Sequence, residues 1–473
     1  MTGLAAKLQP YPVMKNSDIE WLGEVPEHWE VLPNRALFDE IKERDCPDEQ
    51  MLSVTIKRGV IQQATLLEGS SKKDGSNLDR SNYKVVQPGD IAYNKMRAWQ
   101  GAVGISNYRG IVSPAYVVQR PRKVADPRLL HHLLRTPGFA KEAERWSYGI
   151  TSDMWSLRPE HFKLICMCLP PPPEQADIVR FIEYVDRRIR RYIRAKQKLI
   201  KLLEEQKQAI IHRTVTRGLD PNVPLKDSGV EWLGQVPEHW DVVLNQRILK
   251  ENIRPHNGAP ETPLSLSQRD GLIPTTDMKE RSLETSTYDN WKTTLPGDIV
   301  VNRFKAHLGV FFASTLRGIV SFHYGVFEPR REMIPKYFEH LYHSVPYRTI
   351  YAGRSNGMTV GLQNLSNQNF YNVRSIVPPV AEQAAIVEYV ERASIDIDAA
   401  VARANQEIEL LNEYRTRLIA DVVTGKLDVR EAAASLPDEA EESGTTDDLD
   451  EMIEAELDQE RDQDHHDQEN NDD

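Results

Sequence analysis

The chain is written twice. Trp21-Leu-Gly-Glu-Val-Pro-Glu-His-Trp29 returns as Trp232-Leu-Gly-Gln-Val-Pro-Glu-His-Trp240, 211 positions later. Pro88-Gly-Asp-Ile91 returns as Pro296-Gly-Asp-Ile299, and Arg109-Gly-Ile-Val-Ser113 as Arg317-Gly-Ile-Val-Ser321, both at an offset of 208. Glu174-Gln-Ala176 with Ile178-Val179 returns at the same offset as Glu382-Gln-Ala384 with Ile386-Val387. A period this long marks a duplicated domain rather than a solenoid. The order is cyclic and cut once. The element that should follow the second copy stands at the N-terminus, so residues 15–29 are expected to complete the second unit beside Leu418 to Leu427.

Each copy reads the same way. A globular stretch with short Val, Ile and Tyr runs broken by Gly, Pro and Asn suggests mixed strands and helices. A proline-rich stop (Pro170 to Pro173; Pro378-Pro379) then precedes a long stretch without proline, 174–217 and 382–425. Proline fits the first turn of a helix, where its missing N–H costs least. Apolar residues at three-four spacing give a narrow seam in each. In the first it runs Ile178, Ile182, Val185, Ile189, Tyr192, Leu199, Leu203 and Ile210. In the second it runs Ile386, Val390, Ala393, Ile397, Ala400, Ala404, Leu411, Tyr414 and Leu418. The first stretch carries a charge of +6 and the second −5, which favours pairing with each other over self-association. Two separate surface helices are the alternative.

Charge is divided along the chain. The total is −12, but residues 431–473 hold 19 acidic residues and one basic one, Arg461, leaving +6 for residues 1–430. A mildly basic body with an acidic tail points toward nucleic acid. The tail has too few large apolar side chains to offset ordering entropy and is expected to be disordered. The three cysteines are an odd count without a disulfide framework, and no apolar run reaches the roughly 20 residues of a membrane span. A reduced, cytoplasmic setting is expected. Cys166-Met-Cys168 reads as a buried strand more readily than as half a metal site.

The sequence contains no phosphate-binding loop, dinucleotide fingerprint, zinc-protease helix or aminomethyltransferase motif. His28 and His239 occupy equivalent positions, which fits a repeated structural hinge better than two copies of a catalyst. Binding is better represented. Residues 30–173 carry +5 and residues 241–381 carry +4. Tyr93 to Gln100 and Val301 to His307 interleave basic, amide and aromatic side chains, a combination able to hold phosphates and read base edges. An amphipathic strand with solvated cations is the other reading. Polar loops at Tyr148 to Trp155 and Ser355 to Gly361 precede the proline stops and differ between the copies. The candidate DNA-binding residues are Lys95, Arg97, Gln100 and Trp155 in the first copy, and Arg303, Lys305, His307, Arg354 and Asn356 in the second. No catalytic or metal-ligating residue is expected.

The two Trp-Leu-Gly elements, Leu169-Pro-Pro-Pro-Pro-Glu-Gln175, the long helix behind it and the twofold repeat together resemble the specificity (S) subunit of Type I restriction-modification systems. The resemblance spans about residues 15–430; the acidic tail is outside it. It implies an α+β chain with two mixed α/β target recognition domains joined by two long antiparallel coiled-coil helices. On that basis the expected division is 1–29, an N-terminal element packing with the second helix; 30–173, target recognition domain 1; 174–217, central spacer helix; 218–240, connector repeat; 241–381, target recognition domain 2; 382–430, C-terminal spacer helix; and 431–473, acidic tail. The resemblance also implies double-stranded DNA with a bipartite site, two modification subunits and two restriction subunits as partners. S-adenosylmethionine, ATP and magnesium would be bound by those partners and no cofactor by this chain. The alternatives from other classes are a stand-alone nuclease and a scaffold that binds only protein.

Overall fold

The computed structural model describes residues 8–437 apart from 57, 68–79, 123–124, 150–154, 259, 268–269, 279–287, 289 and 357–363. Of the acidic tail 431–473, whose disorder was expected, residues 431–437 correct the expectation, with a short helix at Arg430–Ala434 and Ala433 and Leu436 buried, and residues from 438 onward lie outside the described residues. The described residues form two compact units, 8–195 with 406–437, and 196–405. The division therefore passes through the middle of both long helices rather than at their ends.

In the first unit, β1 (Phe38–Ile41), β2 (Ile91–Asn94), β3 (Val103–Ile105) and β4 (Tyr116–Pro121) form an antiparallel sheet in the order β1-β4-β2-β3. Alternation sends Tyr93 and Val117 to one face and Ala92 and Val118 to the other. The first face is covered by α1 (Pro127–Leu134) and α2 (Pro137–Arg145), through Leu129, Leu133 and Phe139. Asp126 and Thr136 cap these helices, each followed by proline at the first helical position. The second face packs on Leu52, Val54, Val60 and Val112. A helix of 46 residues, α3 (Pro172–Arg217), follows. It starts inside the proline run, two residues before the expected position.

The second unit repeats this plan. Strands β5 (Leu249–Glu251), β6 (Ile299–Asn302), β7 (Phe311–Ala313) and β8 (Tyr324–Pro329) take the order β5-β8-β6-β7, covered by α4 (Pro335–His343) and α5 (Val345–Arg354). Its core is aromatic where the first is aliphatic. Tyr337, Tyr342 and Tyr351 stand at the positions of Leu129, Leu134 and Ala143. The last long helix is α6 (Val380–Val423).

Each unit contains one half of each long helix, the two halves running in opposite directions. In the first, Arg415 of α6 bonds Asp186 of α3, while Phe181, Ile182 and Leu418 share one core. In the second, Lys207 of α3 lies 2.7 Å from Asp398 of α6. The expected seam needs correction at Tyr192, Leu199 and Tyr414, which are exposed. Ile193, one position on, is the more covered residue, and Ile408 is buried where the seam had no member. The helical period of 3.6 drifts away from a fixed three-four count over this length.

The repeated motifs prove to be joints. Gly89 and Gly297 take φ of 91° and 92° in the Pro-Gly-Asp turns, and the following aspartates accept the backbone N–H three residues back. Asp90 is neutralised by Arg120 from β4 at 2.7 Å, and Asp298 by Arg254 at 2.5 Å. In the second copy the position of Arg120 holds Glu328, which pairs with Arg254 instead. Gly110 and Gly318 of the Arg-Gly-Ile-Val blocks run against a backbone carbonyl; a Cβ at either would lie 2.5 Å from it.

The repeated Glu-Gln at each long-helix start is a second joint. Gln175 accepts from Asp126 N and donates to Pro170 O, and Gln383 does the same with Ile334 N and Pro378 O. Glu174 accepts from Tyr11 Oη (2.6 Å), His28 Nε2 (2.7 Å) and Trp29 Nε1 (3.0 Å). Glu382 accepts from His239 Nε2 (2.8 Å) and Trp240 Nε1 (2.9 Å). Each Trp-Leu-Gly element is thereby fastened to a helix start, and the two histidines have a structural role. In the first unit Trp29 and Val25 also pack with Val422 and Val423 at the end of α6, and Gln9 pairs with Asp428. In the second unit Trp240 packs with Val215 near the end of α3. Cys166–Leu169 is a strand paired with Glu30–Pro33, and burial pushes the Cys168 thiol up to about 12.

Candidate nucleic-acid interface

The same construction stands at the same place in both units. Strand β2 ends at Asn94, whose side chain accepts from Met96 N at 3.0 Å, and a single 3-10 turn over Ala98–Gln100 follows. Strand β6 ends at Asn302, which accepts from Phe304 N at 3.1 Å before the 3-10 turn Ala306–Leu308. Asparagine at a strand end favours this because its side chain copies a backbone turn two residues on. A second segment is laid beside each turn by one backbone bond, Leu157 N to Lys95 O (2.8 Å) and Leu365 N to Arg303 O (3.0 Å). The loops before these bonds are pinched by bridges, Tyr148 with Ser156 and Asn356 with Asn364. The polar loops anticipated from the sequence therefore begin and end next to the basic turns. Their residues 150–154 and 357–361 lie outside the described residues.

In the first unit Arg97 and Gln100 are exposed and Lys95 is half-buried. Trp155 meets Trp99 edge-on at 5.7 Å between ring centroids, so all four expected residues belong to one surface. Met96 and Tyr148, the latter 59% exposed, extend it. Cations flanked by flat aromatic faces can hold a phosphate and stack or wedge against a base.

In the second unit the expected residues differ in exposure. Arg354 and Asn356 are exposed at the end of α5 and the loop base, and Lys305 is half-buried. Arg303 is a correction: its guanidinium is held by Glu251 at 2.5 Å and largely covered, so it braces β5 against β6 instead of facing solvent. It stands just past the end of β6, and Glu251 lies on β5 across the intervening β8, so ion pairing offsets the burial of both groups. The side chain of His307 lies outside the described residues. What the sequence reading passed over is aromatic. Phe304 and Phe322 (52% exposed) lie on this surface, with His323 against both rings at 5.4 and 3.8 Å. Exposed phenylalanine at the offset position of Met96 was the available signal.

Behind both surfaces a lysine is buried, Lys84 donating to Tyr116 O (2.5 Å) and Lys292 to Tyr324 O (2.9 Å). Burial, together with neighbouring cations, lowers the pKa of each. Among the described residues no group of three or more His, Cys, Asp or Glu side chains converges to hold a metal ion.

A duplicated α+β chain with paired long helices and two exposed basic-aromatic turns is thus the class that the fold and site define. No family model matches the sequence. Among solved structures, a chain from work on complex assembly and conformational transition of the type I R-M system is 15% identical. The match covers 84% of this chain and 98% of that one, with a TM-score of 0.60. The HsdS subunit from Thermoanaerobacter tengcongensis (15% identity, 85% and 98% coverage, TM-score 0.44) and the Type-I restriction-modification system S subunit from M. genitalium (12%, 88% and 98%, 0.32) match over similar lengths but superpose too loosely to add to it. At this identity the likeness is one of fold: the chain has the fold of a type I R-M system chain.

Proposed function

We propose that this chain is the DNA sequence-specificity subunit of a Type I restriction-modification complex. The observation that carries the reading is the repeated turn-and-loop construction, identical in its framework and different at its tips, within a fold shared with a type I R-M chain. One framework with two sets of tips suits two different half-sequences of one bipartite site. In this reading, residues 30–173 and 241–381 are the target recognition domains, and α3 and α6 are the spacer helices. Lys95, Arg97, Gln100 and Trp155, with Lys305, His307, Arg354 and Asn356, contact DNA, while Arg303 positions the second turn from behind. The chain itself is non-catalytic and cytoplasmic. Two modification subunits supply S-adenosylmethionine-dependent methylation, and two restriction subunits supply ATP- and magnesium-dependent cleavage.

The test uses the purified full chain. It binds double-stranded DNA with an affinity that falls steeply between about 50 and 200 mM salt, as phosphate contacts require. Arg97→Ala makes that fall shallower by about one counterion. With magnesium and S-adenosylmethionine but no partner, neither cutting nor methylation occurs. Magnesium-dependent cutting by the chain alone would favour the nuclease reading, and salt-insensitive or absent DNA binding the protein scaffold.

A further inference from the structure

One turn of the second unit is braced from below and aromatic at its tip. It runs from Ser321 to Tyr324 and is closed by Tyr324 N donating to Ser321 O at 3.0 Å. Buried Lys292 donates to Tyr324 O at 2.9 Å, and Tyr324 pairs with Asn302 at the end of β6. The two residues at the tip, Phe322 and His323, are both exposed. His323 meets Phe304 edge-on at 5.4 Å between ring centroids and lies 3.8 Å from Phe322. Phe322 is 52% exposed and Phe304 37%.

The first unit has the same turn with a different tip. Tyr116 N donates to Ser113 O at 3.0 Å, and Lys84 holds Tyr116 O from behind. The tip is Pro114 and Ala115, both exposed, and Met96 stands at the position of Phe304. Framework and brace are therefore shared, and the reach of the tip is what differs. Two phenylalanines of about 200 Å² each at these exposures offer on the order of 200 Å² of apolar surface, against about 800 Å² per partner in a stable protein interface. A protein partner needs more than this, whereas a single base step does not. The stretch 299–327 that carries the rings contains no acidic residue, so nothing within it repels phosphate. A ring already fixed outward by its backbone also loses little freedom on binding.

We propose that Phe322 is a wedge that enters the base stack of the half-site held by the second unit, with His323 and Phe304 steadying its ring. This rests on the DNA-binding function proposed above and adds to it a residue that selects sequence without reading base edges. Pyrimidine–purine steps open at the least cost, so the second half-site is chosen in part for such a step and is kinked there. The ring of Pro114 closes back on its own backbone and reaches less far, so the unstacking belongs to the second half-site.

The experiment uses the full chain and two short duplexes of one arbitrary sequence, one fully paired and one with a single T·T mismatch beside a 2-aminopurine. A mismatched step is already partly unstacked, so a wedge favours that duplex on the order of tenfold at low salt. The 2-aminopurine fluorescence rises as its neighbour is parted from it. Phe322→Ala brings the preference below about twofold and removes the rise, while Phe322→Leu, whose side chain can still wedge, keeps most of both. Arg97→Ala weakens binding to the two duplexes alike and keeps the preference. Phe322 lies outside the core, and a common urea midpoint establishes that each variant folds. Salt-sensitive binding of both duplexes without preference would overturn the wedge and leave the DNA-binding function standing, as would a preference that survives Phe322→Ala. Binding to neither duplex would overturn that function, and the wedge with it.

Discussion

Replacing Glu174 with alanine destabilises the first unit by about 4 kcal/mol, several times the effect of the same change at Glu382. The Glu174 side chain is 7% exposed and takes three donors, among them the hydroxyl of the buried Tyr11 and the indole N–H of the fully buried Trp29. Alanine leaves both without an acceptor in a place water does not reach, at about 1–3 kcal/mol each. It also frees the N-terminal element from the start of α3, so the loss is cooperative. Glu382 is 25% exposed and has no tyrosine partner, so water replaces part of what is lost and about 1–2 kcal/mol is expected. Urea unfolding of the full chain with a probe in each unit reads both values. Equal, small losses at the two positions would show that the fastening carries no load.

Acid weakens both units well before carboxylates titrate. Burial, together with neighbouring cations and histidines, lowers His131 to about 3, His132 to about 4, His340 to about 3 and His343 to about 4, against an ordinary 6.5. A depressed histidine is neutral in the folded chain and takes a proton on unfolding, so the unfolded state binds more protons between the two values. Stability is therefore complete above pH 6.5 and lost as pH falls toward 4. Each group contributes up to about 1.4 kcal/mol per pH unit, and two per unit give on the order of 4 kcal/mol between pH 7 and 5. His132→Gln, which cannot take the proton, should remove about half the slope in the first unit. An unchanged unfolding midpoint between pH 7 and 5 would contradict the burial of these rings.

Much of the architecture was legible because duplication repeats what geometry demands. Pro-Gly-Asp, Arg-Gly-Ile-Val and Glu-Gln survive in both copies since each is a joint: a left-handed turn, a strand against a carbonyl, a capped entry to a helix. The cores were not legible. Leucine in α1 is exchanged for tyrosine in α4, and His131, which accepts from Ile105 N, is exchanged for Glu339, which accepts from Ala313 N. Either side chain satisfies the same strand amide, so no pattern in the letters reveals the shared role. The candidate interface was half legible. Composition located the turns, but it could not tell that Arg303 meets Glu251, 52 residues earlier, or that Phe304 and Phe322 stay outside. Long-range partners decide both.

The most direct test is the methylation pattern of DNA in cells that carry this chain with the modification and restriction subunits proposed as its partners. The account predicts a bipartite sequence with a fixed unspecified gap. Exchanging residues 241–381 for another recognition domain should change one half of that sequence and leave the other half and the gap intact. A continuous site, or an exchange that alters both halves or neither, would contradict the assignment of one half-site to each copy.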